Sequence, residues 1–236
     1  MDKLTFPANV ILAGATKSGK TYLTKQIIND HLIPTQDYII VISPTASVSS
    51  DFEEFDQKYT NFQVHTEPEK FMAVVSETIG GMKKLSELYK KQKSRVPFVT
   101  LIVDDCLGLN ILKRGGLLDK ISVSSRHFRL SIFLLVQKLT AVPRTFRLNS
   151  RYVFFFNATN FKELESVLEE YTPRAYKKKL LKYIEMIFNI PHTFIMSDNF
   201  ENKLRNRLWL NGKENLMDKL ESVEGWTAFS RALVAF

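Results

Sequence analysis

Short apolar runs alternate along the chain with longer segments in which apolar residues recur every three or four positions. The short runs indicate buried strands, and the three-to-four spacing indicates amphipathic helices. The longest helical pattern covers residues 69–92, with Gly80 and Gly81 as a point where it can break. Strands separated by helices predict an α/β fold with a mostly parallel central sheet flanked by helices. The predicted strands cover residues 10–13, 38–42, 62–66, 98–105, 131–136 and 152–156.

The pattern changes towards the C-terminus. Residues 192–196 predict a further strand, and an apolar stripe over residues 213–236 predicts a terminal helix that packs on the core or on another subunit. We therefore expect one domain over residues 1–210 and a helical appendage over residues 211–236.

Composition narrows the class of protein. No apolar run in the 236 residues approaches the roughly 20 residues that a membrane-spanning helix needs. The first residues lack the pattern of a secretory signal, and Cys106 is the only cysteine, so we expect a reducing interior compartment and neither secretion nor a membrane partner. Four scattered histidines offer no zinc-ligand spacing. The net charge of +8 favours a polyanionic partner.

The most specific motif follows the first predicted strand. It matches the pattern G-x-x-x-x-G-K-[ST], in which backbone N–H groups and a helix N-terminus converge on the phosphates of a nucleotide. The strand before it and the helix-like segment after it supply the required context, which a chance lysine in an ordinary turn would lack. Lys20 is expected to reach the β- and γ-phosphates of ATP, and the Thr21 hydroxyl to coordinate Mg²⁺. The motif consists of Gly14, Ala15, Thr16, Lys17, Ser18, Gly19, Lys20 and Thr21.

A second motif is the apolar strand over residues 98–105, which ends in Asp104 and Asp105. In phosphate-loop proteins such a Walker B strand places its first acid on the Mg²⁺ shell, and its second acid can polarise the attacking water. A strand that ends in turn-forming acids is the alternative reading. Additional-strand ATPases usually have glutamate where this chain has Asp105, which is shorter by one methylene.

The strand over residues 131–136 ends in Gln137, a polar residue at the edge where open α/β sheets bind ligands. A glutamine there can orient the lytic water or sense the γ-phosphate. The alternative is a strand-end amide with its hydrogen bonds satisfied.

With these motifs in this order, the segment from Arg126 to Phe156 resembles the core of the FtsK–HerA superfamily, which belongs to the additional-strand phosphate-loop NTPases. Within that superfamily the chain is most similar, over roughly residues 8–200, to the genome-packaging ATPases of poxviruses, other large DNA viruses, virophages and polinton-like elements. The resemblance implies a five-stranded parallel core, with the Gln137 strand between the two Walker strands and additional strands at the edge. It further implies ATP hydrolysis coupled to double-stranded DNA translocation into a capsid.

The resemblance also implies a ring of five or six subunits with an arginine from the neighbouring subunit in each site. Arg126 occupies the position most similar to such an arginine, and Arg129, Arg144 and Arg147 are rival candidates. A capsid protein is a further partner that we expect. The expected location is the interior of the host cell where virions assemble, such as a cytoplasmic virus factory, or the virion itself.

Two basic segments are candidates for DNA contact. The loop over residues 107–116 contains Lys113 and Arg114. A helix-like segment carries a basic face that is equally explained as a solvated surface. Its basic residues are Arg174, Lys177, Lys178, Lys179 and Lys182.

Two other functions stay open at the level of sequence. A nucleoside or nucleotide kinase has the same phosphate loop, although Asp105 and Gln137 fit hydrolysis better. A nucleotide-binding assembly switch that does not translocate DNA gains support from the short acid at position 105.

Overall fold

The computed structural model describes residues 4–92, 95–106, 110–157, 161–171, 181, 184, 188, 190–200, 207–210 and 214–215. Its strands are β1 (Asn9–Ala13), β2 (Tyr38–Ile42), β3 (Phe62–His65), β4 (Val99–Asp104), β5 (Leu130–Val136), β6 (Tyr152–Phe156), β7 (Phe194–Asp198), β8 (Arg207–Leu210) and β9 (Glu214–Asn215). Its α-helices are α1 (Lys20–Ile27), α2 (Ala46–Ser49), α3 (Glu53–Lys58), α4 (Pro68–Gln92), α5 (Leu117–Ser122), α6 (Arg144–Leu148) and α7 (Phe161–Tyr171). A π-helical turn (Ile28–Leu32) extends α1, and short 3₁₀ turns cover Asn110–Leu112, Ser125–Phe128 and Leu139–Ala141.

These strands form one sheet in the order β3-β2-β4-β5-β1-β6-β7-β8-β9. The first six in this order pair in parallel, and the last three join in antiparallel fashion. The prediction of a mostly parallel α/β sheet is confirmed, and so is the position of β5 between β1 and β4. The parallel part has one strand more than the five that the resemblance implies.

Helices cover both faces of the sheet. On one face α1, its π-helical extension and α3 pack over Val10, Leu12 and Ile39, and on the other α4, α5, α6 and α7 pack over residues such as Ile11 and Leu134. Neighbouring residues of one strand alternate between the two faces, so a strand buried on both sides reads as a continuous apolar run. This double burial explains why the short apolar runs predict the strands well.

Two expectations differ from the structure in detail. Helix α4 continues through Gly80 and Gly81 without a break, because buried Phe71, Val75 and Met82 hold its apolar face against the sheet on both sides of the glycines. The terminal helix predicted over residues 213–236 is wrong at its start, where Glu214 pairs with Leu210 in a strand. The rest of that helix lies outside the described residues, as do Arg174, Lys177, Lys178, Lys179 and Lys182.

Among the described residues, no helix has both the length and the apolar character that a bilayer crossing requires.

Candidate functional site

The loop after β1 is fixed between the two neighbouring strands. The N–H of Gly14 donates to the carbonyl of Val136 at 3.1 Å, and the N–H of Ala15 donates to the carbonyl of Asn157 at 3.0 Å. A Cβ on Gly14 would lie 2.5 Å from the Cβ of Phe156, a distance that real Cβ contacts do not reach. Only glycine therefore allows the loop to leave the sheet along this path.

The backbone of the loop then turns through left-handed conformations before α1 begins at Lys20. Lys17 has a φ of 62° and Gly19 a φ of 106°. Gly19 occupies the N-cap position of α1, and no side chain of the described residues caps the helix. Because the first N–H groups of a helix lack partners within the helix, this end is suited to an anion.

Lys20 lies over the loop, where its Nζ donates to the carbonyls of Gly14 and Ala15, both at 2.8 Å. Burial lowers the pKa of Lys20, whereas the nearby charges of Asp104 and Asp105 act in the opposite direction. A partly desolvated ammonium group gains more from a phosphate than one in bulk water does. The lysine is therefore placed to exchange two carbonyl acceptors for phosphate oxygens.

Asp104 ends β4 and is 7% exposed. The hydroxyl of Ser43 donates to its Oδ2 at 3.0 Å. Burial raises the pKa of Asp104 to about 6; the Asp105 charge acts in the same direction, while the Ser43 hydrogen bond and Lys20 oppose the shift. A buried carboxylate of this kind is stabilised by a cation, so the site favours the binding of one beside Asp104.

Asp105 has a left-handed φ of 46°, which ends the strand and turns its side chain towards β5. The Nε2 of Gln137 donates to Asp105 Oδ1 at 3.0 Å. Both residues are more exposed than Asp104. An acid and an amide that are joined in this way, at an open edge of the sheet, are suited to hold a water molecule.

These groups line one open cleft of about 900 Å³, a size that suits a nucleotide. Thr16, Lys17, Gly19, Lys20, Thr21, Asp104, Asp105 and Gln137 all lie on its wall. The structure adds six residues that the sequence analysis did not select as site residues, namely Tyr22, Thr45, Ser49, Asp51, Leu135 and His192. The segment after β2 could have been found, because the carboxyl ends of parallel strands share one edge. His192 precedes an antiparallel strand, so no sequence signal places it beside Gly19.

The oxygen ligands in the cleft fit Mg²⁺ that arrives with a triphosphate. The Thr21 hydroxyl and the Asp104 carboxylate are hard oxygen donors, but they supply only two ligands. The described residues contain no group of three or more His, Cys, Asp or Glu side chains that could hold a metal. Mg²⁺ tolerates such a site because it retains waters and takes phosphate oxygens as further ligands.

The candidate arginines lie outside this cleft. The 3₁₀ turn before β5 places Arg126 and Arg129 at the amino edge of the sheet, opposite the phosphate loop. The Arg126 guanidinium is exposed and lies 4.5 Å from the centre of the Phe200 ring. Arg129 donates to the carbonyl of Val96 at 2.9 Å. All four candidates are described, and none of them lines the cleft.

Arg147 is held by contacts within its own chain. Its Nε lies 2.9 Å from Glu170 Oε2, with the two side chains only 16% and 18% exposed. Its Nη1 donates to the carbonyl of Val142 at 2.9 Å. Arg144 is exposed. Arg129 and Arg147 are therefore engaged within their own chain, whereas Arg126 and Arg144 are accessible.

Comparison with known proteins matches the chain to one family and to several solved structures that share its fold. The family described as poxvirus A32 protein matches residues 2–208. No curated protein gives a significant match. The packaging NTPase B204 of Sulfolobus turreted icosahedral virus 2, in complex with AMPPCP, has a TM-score of 0.58 at 15% identity, over 86% of this chain and 96% of that chain.

Two further structures share the fold. The DNA-packaging ATPase B204 of Sulfolobus turreted icosahedral virus has a TM-score of 0.61 at 17% identity, over 86% of this chain and 96% of that one. The conjugation coupling protein TcpA of pCW3, as a monomer with ATPγS, has a TM-score of 0.63 at 14% identity, over 86% of this chain and 59% of that one. At these identities the likeness shows the fold alone.

Proposed function

The chain belongs to the poxvirus A32 protein family, and from that premise we propose that it is an ATPase that drives double-stranded DNA into a viral capsid. The observation that carries the proposal is the convergence of the phosphate loop, Asp104 and the Asp105–Gln137 pair on one cleft. The B204 structures support it, since these proteins with the same fold are described as genome-packaging NTPases and one was solved with AMPPCP.

Five side chains in the cleft have distinct tasks in hydrolysis. Lys20 and the first N–H groups of α1 bind the phosphates, and Thr21 with Asp104 would hold Mg²⁺. When bound, Mg²⁺ neutralises phosphate charge. Asp105, steadied by Gln137, accepts a hydrogen bond from water and orients its oxygen towards the γ-phosphorus. The water oxygen forms the new bond to phosphorus and gives a proton to Asp105, the bond to the bridging oxygen breaks, ADP and inorganic phosphate leave, and Asp105 then releases the proton to solvent.

A neighbouring copy of the chain completes the site in this proposal. The transition state of phosphoryl transfer gains from an arginine, and none of the four candidate arginines of the chain lines its own cleft. Arg126 is accessible at the opposite edge of the sheet, which suits a residue offered to the next subunit of a closed ring of five or six copies.

DNA is the proposed cargo, and the net charge of +8 supports a polyanionic partner. Lys113 and Arg114, both exposed on the segment that follows the Walker B strand, are candidate contacts to the phosphate backbone. A capsid protein would anchor the ring, and the work would take place inside the infected cell at the site of virion assembly, with the ATPase retained in the virion or released.

The test measures phosphate release with and without duplex DNA, together with electron microscopy of the protein on duplex DNA with AMPPCP. We expect DNA-stimulated release, which falls steeply as salt rises because each phosphate contact releases counterions, and a closed ring around the DNA. Lys20→Ala is the matched control that loses nucleotide binding. Transfer of the γ-phosphate to a nucleoside without DNA stimulation would favour a kinase, and nucleotide binding without turnover in the assembled ring would favour an assembly switch.

A further inference from the structure

Leu139, two residues after Gln137, and Val142, just after the same turn, are held by side chains from α7 and α6. From these contacts we propose that Glu163 is a positioning residue, which orients the Gln137 amide towards Asp105. The inference rests on the proposed ATPase function, because it assigns Glu163 a part in the hydrolytic step rather than in nucleotide binding.

The first contact is a hydrogen bond to the backbone. The N–H of Leu139 donates to Glu163 Oε1 at 2.7 Å, a short distance typical of a charged acceptor. Leu139 opens the 3₁₀ turn Leu139–Ala141, where an N–H has no partner within the turn, and its side chain is 2% exposed. The carboxylate of Glu163, which comes from α7, therefore satisfies a donor that the turn leaves unpaired.

The second contact comes from Arg147, which secures the far end of the same segment. Arg147 donates to the carbonyl of Val142 and pairs with Glu170 on α7. Glu163 and Glu170 are seven residues apart, which is about two helical turns, so both acids project from the same side of α7. Helix α7 thus contacts the near end of the segment directly through Glu163 and its far end through Arg147 of α6.

The position of Glu163 links this segment to the nucleotide site. Glu163, Gln137 and Gly14 line one small crevice between α7 and the start of the phosphate loop. Without the carboxylate, the N–H of Leu139 would have no acceptor in its buried turn, and the turn would shift to find one. Gln137 lies two residues before that N–H, so the shift would change the angle at which its amide meets Asp105.

The experiment is a double-mutant cycle of Glu163→Ala and Gln137→Ala, with kcat and the Kd for ATP as readouts. Glu163→Ala is expected to lower kcat by about tenfold to 100-fold and to leave the Kd unchanged, because a small misplacement affects chemistry more than binding. In Glu163→Gln the amide oxygen still accepts from the N–H of Leu139, so most of kcat should return. Glu163→Ala should add nothing to Gln137→Ala, because both remove the same interaction.

Ser166→Ala is the control on the same helix, since the Ser166 hydroxyl is exposed and, within the described part of the chain, donates to the carbonyl of Lys162. Equal losses of kcat in Ser166→Ala and Glu163→Ala, or full additivity of Glu163→Ala with Gln137→Ala, would overturn the proposal. Backbone hydrogen exchange of residues 137–142 gives a test without turnover: faster exchange in Glu163→Ala supports the proposal, and unchanged exchange contradicts it. Failure of the proposed function itself looks different, because the wild-type protein would then release no phosphate.

Discussion

Gln137 and Asp105 form a hydrogen bond of 3.0 Å that joins the carboxyl ends of β5 and β4. We infer that this contact compensates for the shorter aspartate at a position where additional-strand ATPases usually have glutamate. Asp105 is one methylene shorter, but its left-handed backbone turns it towards β5, where the longer Gln137 meets it. The pair therefore reaches into the cleft as one unit, with a carboxylate oxygen left to accept a hydrogen bond from water.

Asp105→Asn should separate binding from hydrolysis. The amide has nearly the same shape and still accepts from Gln137, but it is a poor base, so we expect hydrolysis to fall by about 100-fold or more while the Kd for ATP stays within about twofold. Single-turnover phosphate release and nucleotide titration measure the two quantities. The matched control is Asp51→Asn, an acid on the same cleft wall. A larger loss of hydrolysis in Asp51→Asn than in Asp105→Asn would move the base to Asp51.

The sequence predicts β1, β4, β5 and β6 because these strands are buried on both faces and their runs are almost entirely apolar. The parts of the site that follow such strands are predictable for the same reason. Asp104, Asp105 and Gln137 each end a run, and the ends of parallel strands converge at one edge. Neither the strands nor the residues that end them require knowledge of contacts between distant segments to be predicted.

The remaining features depend on contacts between distant segments. His192 lies beside Gly19 because an antiparallel strand returns along β6, and the contact of Glu163 with Leu139 depends on how α7 packs. No local pattern contains that information. The arginines are the clearest case: Arg126 and Arg147 are both candidates from the sequence, but Arg126 is exposed and Arg147 forms a shielded ion pair.

Asp104 should make the stability of the nucleotide-free protein depend on pH. Burial raises the folded-state pKa of Asp104 to about 6 from 3.8. The stability that its neutral carboxyl group contributes is therefore fully present below pH 3.8 and is lost as the pH rises through about 6. We expect Asp104→Asn to unfold at the same denaturant concentration as wild type near pH 4 and to be more stable by about 1–3 kcal/mol at pH 7.5. Chemical denaturation in EDTA measures this difference.

Ser43→Ala is the companion variant for that experiment. The Ser43 hydroxyl donates to the charged form of Asp104, so removal of this hydroxyl should destabilise the protein by about 1–2 kcal/mol at pH 7.5 and by much less near pH 4. A gain in stability for Asp104→Asn that is equal at both pH values would contradict the buried-charge explanation.

Arg147→Ala should lower the stability of the folded protein. The substitution leaves Glu170 largely buried without its cation and removes a hydrogen bond to Val142, so we expect a loss of about 2–4 kcal/mol in the free energy of unfolding. Arg144→Ala, three residues earlier and exposed, is the matched control and should change stability by less than about 0.5 kcal/mol. Unchanged stability in Arg147→Ala, together with loss of turnover, would return Arg147 to the candidates for the arginine supplied to a neighbour.

Arg126 can be tested by mixing two inactive variants. Arg126→Ala keeps an intact phosphate loop and Lys20→Ala keeps an intact Arg126, so a ring that contains both variants has boundaries at which one complete site forms. We expect each variant alone to hydrolyse ATP at less than about 1% of the wild-type rate, because loss of a finger arginine costs roughly 10³-fold or more. Their mixture should recover a substantial fraction of the rate, and Arg126→Ala alone should bind ATP normally.

A mixture of Lys20→Ala with Asp105→Asn is the control, because both changes lie in the same cleft and no boundary can then be complete. Wild-type turnover of Arg126→Ala alone would remove Arg126 as the finger, and recovery in the control mixture would show that the two sides of the site do not come from different subunits in the way proposed.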